Sequence, residues 1–572
     1  MNTLSTRLIQ RGSPFELQDA VINGIQCKVF PRGPQTLQDV FMKTASFGQS
    51  EFIVSDKARL SFRQALEQAN VFSRYLQEYY GVTKGSRVAL LMPNCPEWAV
   101  AFIAIYLAGA TAVIIYADAA TQAVLTSLDI ATCALIVTDR EHAGKLEAVR
   151  PAYPVVVIRN ARFSEPLLAE ICDGKASANS DVFVLSEVMG DENALRLDKI
   201  PRPAPDDEAL IAFTSGSTGA PKGVVLSHRN MTTGLMNMML GGFLMSSRAA
   251  KMRTGIQPAI SNLPPCSLLL SALSHIGGYA HVLLMCYLGG KIVLMPRWDM
   301  HHAAILIESE KVRSLNGASS AMIRELLRSN HSEHNLESLT NLNIHGSALL
   351  PSFISEIASK FPYISLGAGY GMTETCGSVC NISGMELLNN PDASGQILPS
   401  VDIKVIDDAE QEVLQGQLGE ICIRGAMVMR GYCGKSNNTA AVIKDGWLRT
   451  GDMGRLDSDG QLYVTDRLDD VILCGPHRIS AGKLERAACE HHMVDEAIVL
   501  GVPDAQCCES IVLTVLPRDP IQFDENELKS QLSLSMANLP VVPKIIFYKS
   551  LPRTVSGKIN RNELRRQVMS EL

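Results

Sequence analysis

From Arg87 to Thr138 the chain alternates short apolar runs with a helical one: Arg87-Val-Ala-Leu-Leu-Met92, a helix around Trp98, Thr111-Ala-Val-Ile-Ile-Tyr116, then Cys133-Ala-Leu-Ile-Val-Thr138. Strands that are apolar along their whole length are buried on both faces, and connections long enough to hold a helix set successive strands parallel. The alternation therefore predicts an α/β fold of layered sheets with parallel strands. Just ahead of it, Ser61 and Gln64 form a capping-box pattern, while Phe62, Leu66, Ala69, Phe72 and Leu76 recur at helical spacing until Gly81 closes the predicted helix.

Two uncharged runs, Trp98 to Tyr116 and Pro264 to Gly290, approach membrane-spanning length. The first contains Gly109 and Ala110 before a β-prone segment, which reads as a buried helix turning into a buried strand. The second carries Ser267, Ser271, Ser274, His275 and paired glycines, which suit lipid poorly. No transmembrane segment is expected, and peripheral membrane contact stays open.

At 572 residues the chain is too long for one core, so two or more domains are expected. From about residue 395 short alternating strands appear, such as Val401 to Ile406, Glu420 to Arg424 and Gln461 to Thr465. Beyond Arg467 mixed α and β patterns return, with a helix near Glu525 to Met536. The expected division is an N-terminal domain over 1–466, of which 395–466 is a small β region, and a small mobile α+β domain over 467–572.

A net charge of −7 leaves no nucleic-acid footprint, and small-molecule chemistry becomes the default. The 14 cysteines follow no CxxC pairing and no secretory leader, the usage of a reducing, cytoplasmic setting. Cys376, Cys380, Cys507 and Cys508 read as buried thiols rather than ligands. His301, His302, His491 and His492 read as surface or capping residues.

The strongest chemical signal is Ile211-Ala-Phe-Thr-Ser-Gly-Ser-Thr-Gly-Ala-Pro-Lys-Gly223. Gly216 and Gly219 let backbone N–H groups approach an anion, Thr214, Ser215, Ser217 and Thr218 add hydroxyl donors, and Lys222 adds positive charge. A flexible surface loop has the same composition, so both readings stand on composition alone. The loop is not a Walker A motif, because Lys222 follows Pro221 and precedes Gly223.

This loop resembles the phosphate-binding signature of the adenylate-forming superfamily, which holds acyl-CoA synthetases, firefly luciferase and peptide-synthetase adenylation domains. Four further segments resemble the family's motifs in order: Tyr370-Gly-Met-Thr-Glu-Thr375, Trp447-Leu-Arg-Thr-Gly-Asp452, Asp466-Arg-Leu-Asp-Asp470 and Pro552-Arg-Thr-Val-Ser-Gly-Lys558. The likeness runs from about residue 35 onward, and bacterial fatty acyl-CoA ligases are similar in their lead-in as well. It implies an acid–thiol ligase that uses ATP, Mg²⁺ and coenzyme A.

Bringing a carboxylate onto the α-phosphate of ATP joins two anions, so positive charge and in-line alignment are required. The resemblance implies Lys558, Lys222 and Glu374 as the catalytic set, with Glu374 on Mg²⁺. It implies that Thr214 to Gly219, Gly371 and Thr373 hold the phosphates. Tyr370 and the segment Gly346, Ser347 and Ala348 would enclose adenine, and Asp452 with Arg467 would engage ribose. His275, Gly277 and Gly369 would line the acyl pocket, with Gly277 and Gly278 leaving space for substrate.

No acidic residue lies between Pro264 and Gly290, which disfavours an amino-acid substrate, whose ammonium would be buried unpaired. A fatty or aryl acid is expected. The resemblance further implies rotation about Asp469 between adenylation and thiol transfer, with Gly475 lining a thiol tunnel. The chain departs from the family pattern at Leu473, Pro476 and Lys483, and at Asp466, where many members carry glycine. These departures bear on the thiol half. The alternatives are loading of a carrier protein's phosphopantetheine and, in another class, a non-catalytic nucleotide-binding homologue. The first is distinguished by acyl-AMP release without CoA product, the second by the absence of any acid-dependent pyrophosphate exchange.

Overall fold

Parallel strands carry the frame. The computed structural model describes residues 3–147, 153–159, 180–184, 202–215, 221–252, 264–295, 297–328, 334–345, 351–361, 364–474, 477–504, 508–518, 523–535, 543–553 and 559–572. Arg87–Leu91 lies between Thr111–Ile114 and Leu135–Thr138, both parallel to it, and Val155–Arg159 and Ser180–Val184 extend the row. On the other side Glu208–Ser215 pairs parallel with Thr111–Ile114. It then turns back antiparallel into Pro221–Ser227, which takes the short strand Gly431–Tyr432 at the sheet's edge. This sheet has eight strands.

A second parallel row runs Glu51–Val54, Lys291–Leu294, Cys266–Leu269, Ser314–Asn316, Asn341–His345, Ser365–Met372. Gly377–Ser383 continues it antiparallel. The strands expected as a smaller β region do not stand alone. Gly395–Ile397 pairs with both Gly377–Ser383 and Gln461–Arg467, so Trp447–Leu456, Gly419–Arg424 and Asp402–Ile406 prolong the same sheet to fourteen strands.

The helix Phe62–Tyr80 carries the expected reciprocal capping box between Ser61 and Gln64 and ends on Gly81 in the left-handed conformation. In the helix Pro96–Leu107 every residue except Glu97 is buried, which is why the run shows no polar face. Trp98 stacks on Phe102, which meets Tyr106 edge to face, inside the main apolar cluster, each such side chain contributing about 1.5–3 kcal/mol on burial. The second uncharged run becomes the strand Cys266–Leu269 and the helix Ile276–Leu288. No helix among the described residues is long and apolar enough to cross a membrane.

The C-terminal strands Val471–Cys474, His477–Ser480, Val494–Asp504, Cys508–Pro517 and Lys544–Phe547 form a separate five-stranded sheet. Leu484 and Ala488 of the helix Ala481–Cys489 and Leu528 and Leu532 of Glu525–Ser535 cover one face. Leu564 and Val568 of Arg561–Glu571 cover the other. Cys376 and Cys380 are buried free thiols with different neighbours, the Met231 sulfur and the Ser394 carbonyl. His491 departs from the surface reading: its side chain is only 1 % exposed, and its Nδ1 accepts the Met493 N–H.

Candidate functional site

The glycine- and hydroxyl-rich segment is the turn of a β-hairpin, with Thr214 directly opposite Lys222 and Ser215 opposite Pro221. The backbone of Gly216, Ser217, Thr218 and Gly219 and the side chain of Ser215 lie outside the described residues. At the turn end of the hairpin the Lys222 ammonium stands 5.6 Å from the centre of the Tyr432 ring. Strand pairing puts them there, because Tyr432 is the partner of Val224 on the next strand.

The Tyr432 hydroxyl donates to Glu374 Oε1 at 3.0 Å. Burial, and then the Glu374 carboxylate, push the phenol's pKa upward, so Tyr432 remains a neutral donor. Glu374 sits in the tight turn Thr373–Thr375, whose shape is held by Thr375. The Thr375 hydroxyl donates toward the Met372 and Gly377 carbonyls, and the Met372 N–H donates back to its oxygen. Met429 N–H holds the Glu374 carbonyl at 2.8 Å.

Behind the turn lies the helix His228–Met252, which follows the hairpin directly. A Cβ on Gly234 would come within 2.5 Å of the Cys376 carbonyl oxygen, so glycine is what permits that approach. Thr373 is buried beside Glu374. One helix and one turn thus fix Lys222, Tyr432 and Glu374 at the seam between the two large sheets.

Four residues earlier, the Tyr370 hydroxyl donates to Asp452 Oδ2 at 2.6 Å. Asp452 lies opposite Arg467 on neighbouring strands, and Arg467 Nε approaches Asp452 Oδ1 at 3.3 Å. Burial, then the Asp452 carboxylate, raise the Tyr370 phenol's pKa. Gly371 allows the strand to close on its neighbour, since a Cβ there would lie 2.0 Å from the Gly377 carbonyl oxygen. Gly369 is in the same strand, opposite His345 and Asn381.

The structure gathers Lys222 and Glu374 through Tyr432, and Tyr370, Asp452 and Arg467 through one carboxylate. His275 caps the helix Ile276–Leu288, its Nδ1 accepting the Gly277 N–H at 3.1 Å. Gly277 and Gly278 pack against the preceding turn. A Cβ on Gly278 would meet the Ala272 carbonyl at 2.1 Å, and one on Gly277 the Ser271 hydroxyl at 3.0 Å. These glycines let the helix start fold onto its own preceding turn.

Asp469 is exposed in the turn Leu468–Asp470. Gly346, Ser347, Ala348, Gly475 and Lys558 lie outside the described residues. The flanks of the Lys558 segment are described: Arg553 and Ile559 form a bridge, and the Asn560 N–H donates to the Pro552 carbonyl at 2.8 Å. Tyr432 escaped sequence reasoning because it belongs to no motif and meets Glu374 only through pairing between distant strands.

A divalent cation fits the donor set here. Among the described residues Tyr432 is the only group hydrogen-bonded to the Glu374 carboxylate, leaving Oε2 as a hard anionic oxygen.

The AMP-binding enzyme family pattern matches residues 41–433, and that of the AMP-binding enzyme C-terminal domain residues 483–558. A long-chain-fatty-acid–CoA ligase of Bacillus subtilis is 27% identical over 93% of this chain and 95% of its own. A 4-coumarate–CoA ligase of Oryza sativa is 30% identical over 85% of each. The solved O-succinylbenzoate coenzyme A synthetase of Bacillus subtilis, in complex with ATP and a magnesium ion, superposes with a TM-score of 0.72 at 24% identity, covering 92% of this chain and 99% of that one.

Proposed function

Because the chain belongs to the AMP-binding enzyme family, the adenylate-forming acid–CoA ligases, we propose that it activates a fatty or aryl carboxylic acid as its acyl-adenylate and transfers the acyl group to coenzyme A. One observation carries the reading: a hairpin ammonium and the Glu374 carboxylate are brought together around Tyr432 beside the hydroxyl-rich turn. That arrangement supplies charge of both signs where a triphosphate and its counter-ion must sit. The relatives named for long-chain fatty acids and for 4-coumarate support the substrate class.

In this reading Lys222 faces the outer phosphates and Thr373 the α-phosphate, and Glu374 would hold a magnesium ion, which would supply positive charge to the phosphates. Tyr432 keeps the Glu374 carboxylate oriented by donating to one of its oxygens. Tyr370 offers its ring to adenine while its hydroxyl locks Asp452, and Asp452 with Arg467 takes the ribose hydroxyls. Lys558, on a segment whose flanks are bridged, stabilises charge as the carboxylate oxygen bonds to the α-phosphorus and pyrophosphate leaves. In this reading the chain divides at 466/467, and Lys558, Asp469 and Gly475 belong to the unit that turns between the two steps.

The deciding experiment measures pyrophosphate release across fatty, aryl and β-hydroxy acids, with and without CoA, for wild type and Lys558→Ala. Acyl-CoA formation by wild type and loss of adenylation with retained ATP binding in the variant are expected. Undiminished turnover in Lys558→Ala, or no acid-dependent pyrophosphate release, overturns the proposal.

A further inference from the structure

Among the described residues no buried apolar cluster is shared between the large N-terminal part and the C-terminal sheet. Every buried cluster is built either from residues up to Val464 or from residues after Asp470, never from both. What joins the units among the described residues is polar: Arg486 with Asp392 at 3.1 Å, Arg324 with Asp495 at 3.5 Å, and the Gly482 N–H donating to Asp466 Oδ1 at 2.8 Å. A joint with no shared apolar core permits relative motion. Its polar contacts then set which arrangement is populated.

These three contacts are unequal. Asp392 is 63% exposed, and Asp495 is 38% exposed and further from its partner; pairs of that kind add little. Asp466 instead meets a helix N-terminus. Ser480 caps the helix Ala481–Cys489 through the Lys483 N–H. The Gly482 N–H is left for the Asp466 carboxylate, a charge-assisted bond at the positive end of the helix dipole. Asp466 is the penultimate residue of the strand Gln461–Arg467 in the large sheet, and Gly482 belongs to the C-terminal unit, with the exposed turn Leu468–Asp470 between them. The contact therefore crosses the joint.

Steric fit points the same way. A Cβ on Gly482 would stand 2.9 Å from the Thr465 carbonyl oxygen and 3.0 Å from Asp466 Oδ1. The departure at Asp466 and the residue next to the departure at Lys483 thus make one contact.

We propose that Asp466 and Gly482 form a latch that holds the C-terminal unit in this orientation and sets the balance between the adenylation and thioester-forming steps. Both are positioning residues. The kinetic half of the proposal rests on the function proposed above; the structural half does not. Opening the latch breaks one hydrogen bond, with no proton lost and no covalent change.

Asp466→Ala removes the acceptor, Asp466→Asn keeps an oxygen but loses the charge, and Gly482→Ala improves helix propensity while blocking the approach. The first reading is amide hydrogen exchange over residues 481–484 in the full-length protein, with the strand Val494–Asp504 as internal reference. About fivefold faster exchange is expected in Asp466→Ala and Gly482→Ala, with a smaller change in Asp466→Asn, the reference staying unchanged. The second reading is the ratio of thioester formation from supplied acyl-adenylate to acid-dependent pyrophosphate exchange. It should move about fivefold, in one common direction, for Asp466→Ala and Gly482→Ala. Unchanged exchange overturns the latch whatever the activity. Faster exchange with an unchanged ratio reduces it to a structural contact and overturns the positioning role. Wild-type protein inactive in both half-reactions refutes the proposed function instead, and the exchange data still decide the latch.

Discussion

Acid should weaken the N-terminal unit through two histidines that folding keeps neutral. His228 is buried, and its Nδ1 accepts the Leu37 N–H at 3.1 Å. His281 is buried between Ser267 and Asn316, its Nδ1 facing the Asn316 amide nitrogen at 3.0 Å. Protonating either ring would turn an acceptor toward a donor. Burial lowers the pKa of each to about 4. A depressed histidine pKa means that the unfolded chain, titrating near 6.5, binds protons first as pH falls. The stabilisation is thus complete above about pH 6.5 and is lost toward pH 4. Between pH 7 and pH 5 this amounts to roughly 2 kcal/mol for each histidine. His228→Gln keeps an uncharged acceptor near Leu37 and removes one titration. Trp98, Trp298 and Trp447 all precede residue 467, so tryptophan fluorescence during urea unfolding reports on the unit that contains both histidines. The stability gap between wild type and His228→Gln should narrow by about 2 kcal/mol from pH 7 to pH 5. A gap that is constant or widens with acid refutes the argument.

Tyr432→Phe removes the donor to Glu374 and keeps the ring beneath Lys222; kcat/KM for Mg-ATP should fall about tenfold with little change in Tm, since hydrogen bonds to charged groups carry about that much. Gly371→Ala drives a Cβ into the Gly377 carbonyl oxygen across two backbones; a loss of about 3 kcal/mol in chemical denaturation is expected, and a neutral result would show that the strands can part. Tyr370→Phe should destabilise the nucleotide-free protein by about 1.5 kcal/mol, but Arg467→Ala by less than about 0.5 kcal/mol because its side chain is 62% exposed. Thermal unfolding of the two variants checks the order, and equal effects would contradict it.

What could be read in advance was whatever is written locally. Ser61, Gln64 and Gly81 bound a helix because capping is a contact between near neighbours in sequence. The uncharged run from Trp98 resolved into helix and strand because length and β-branching separate the two. The candidate nucleotide residues were legible as motifs, but their mutual arrangement was not. Tyr432 reaches Glu374 only because a two-residue strand pairs with Pro221–Ser227 some two hundred residues earlier in the chain. Alternation likewise marked the strands after residue 395 without saying that they prolong an existing sheet, which depends on one three-residue strand pairing on both edges.

Glycine was the least legible residue. At Gly277 and Gly278 the missing Cβ faces the preceding turn. At Gly234, Gly371 and Gly482 the same absence lets one backbone touch another. A sequence states that a side chain is absent and is silent about what approaches. The same limit governs Asp466 and Gly482. They stand sixteen positions apart in sequence, and only the fold makes them acceptor and donor across a joint. If that joint sets the balance between the two chemical steps, the departure at Asp466 acts on domain motion, and the ATP-facing residues can stay as the family has them.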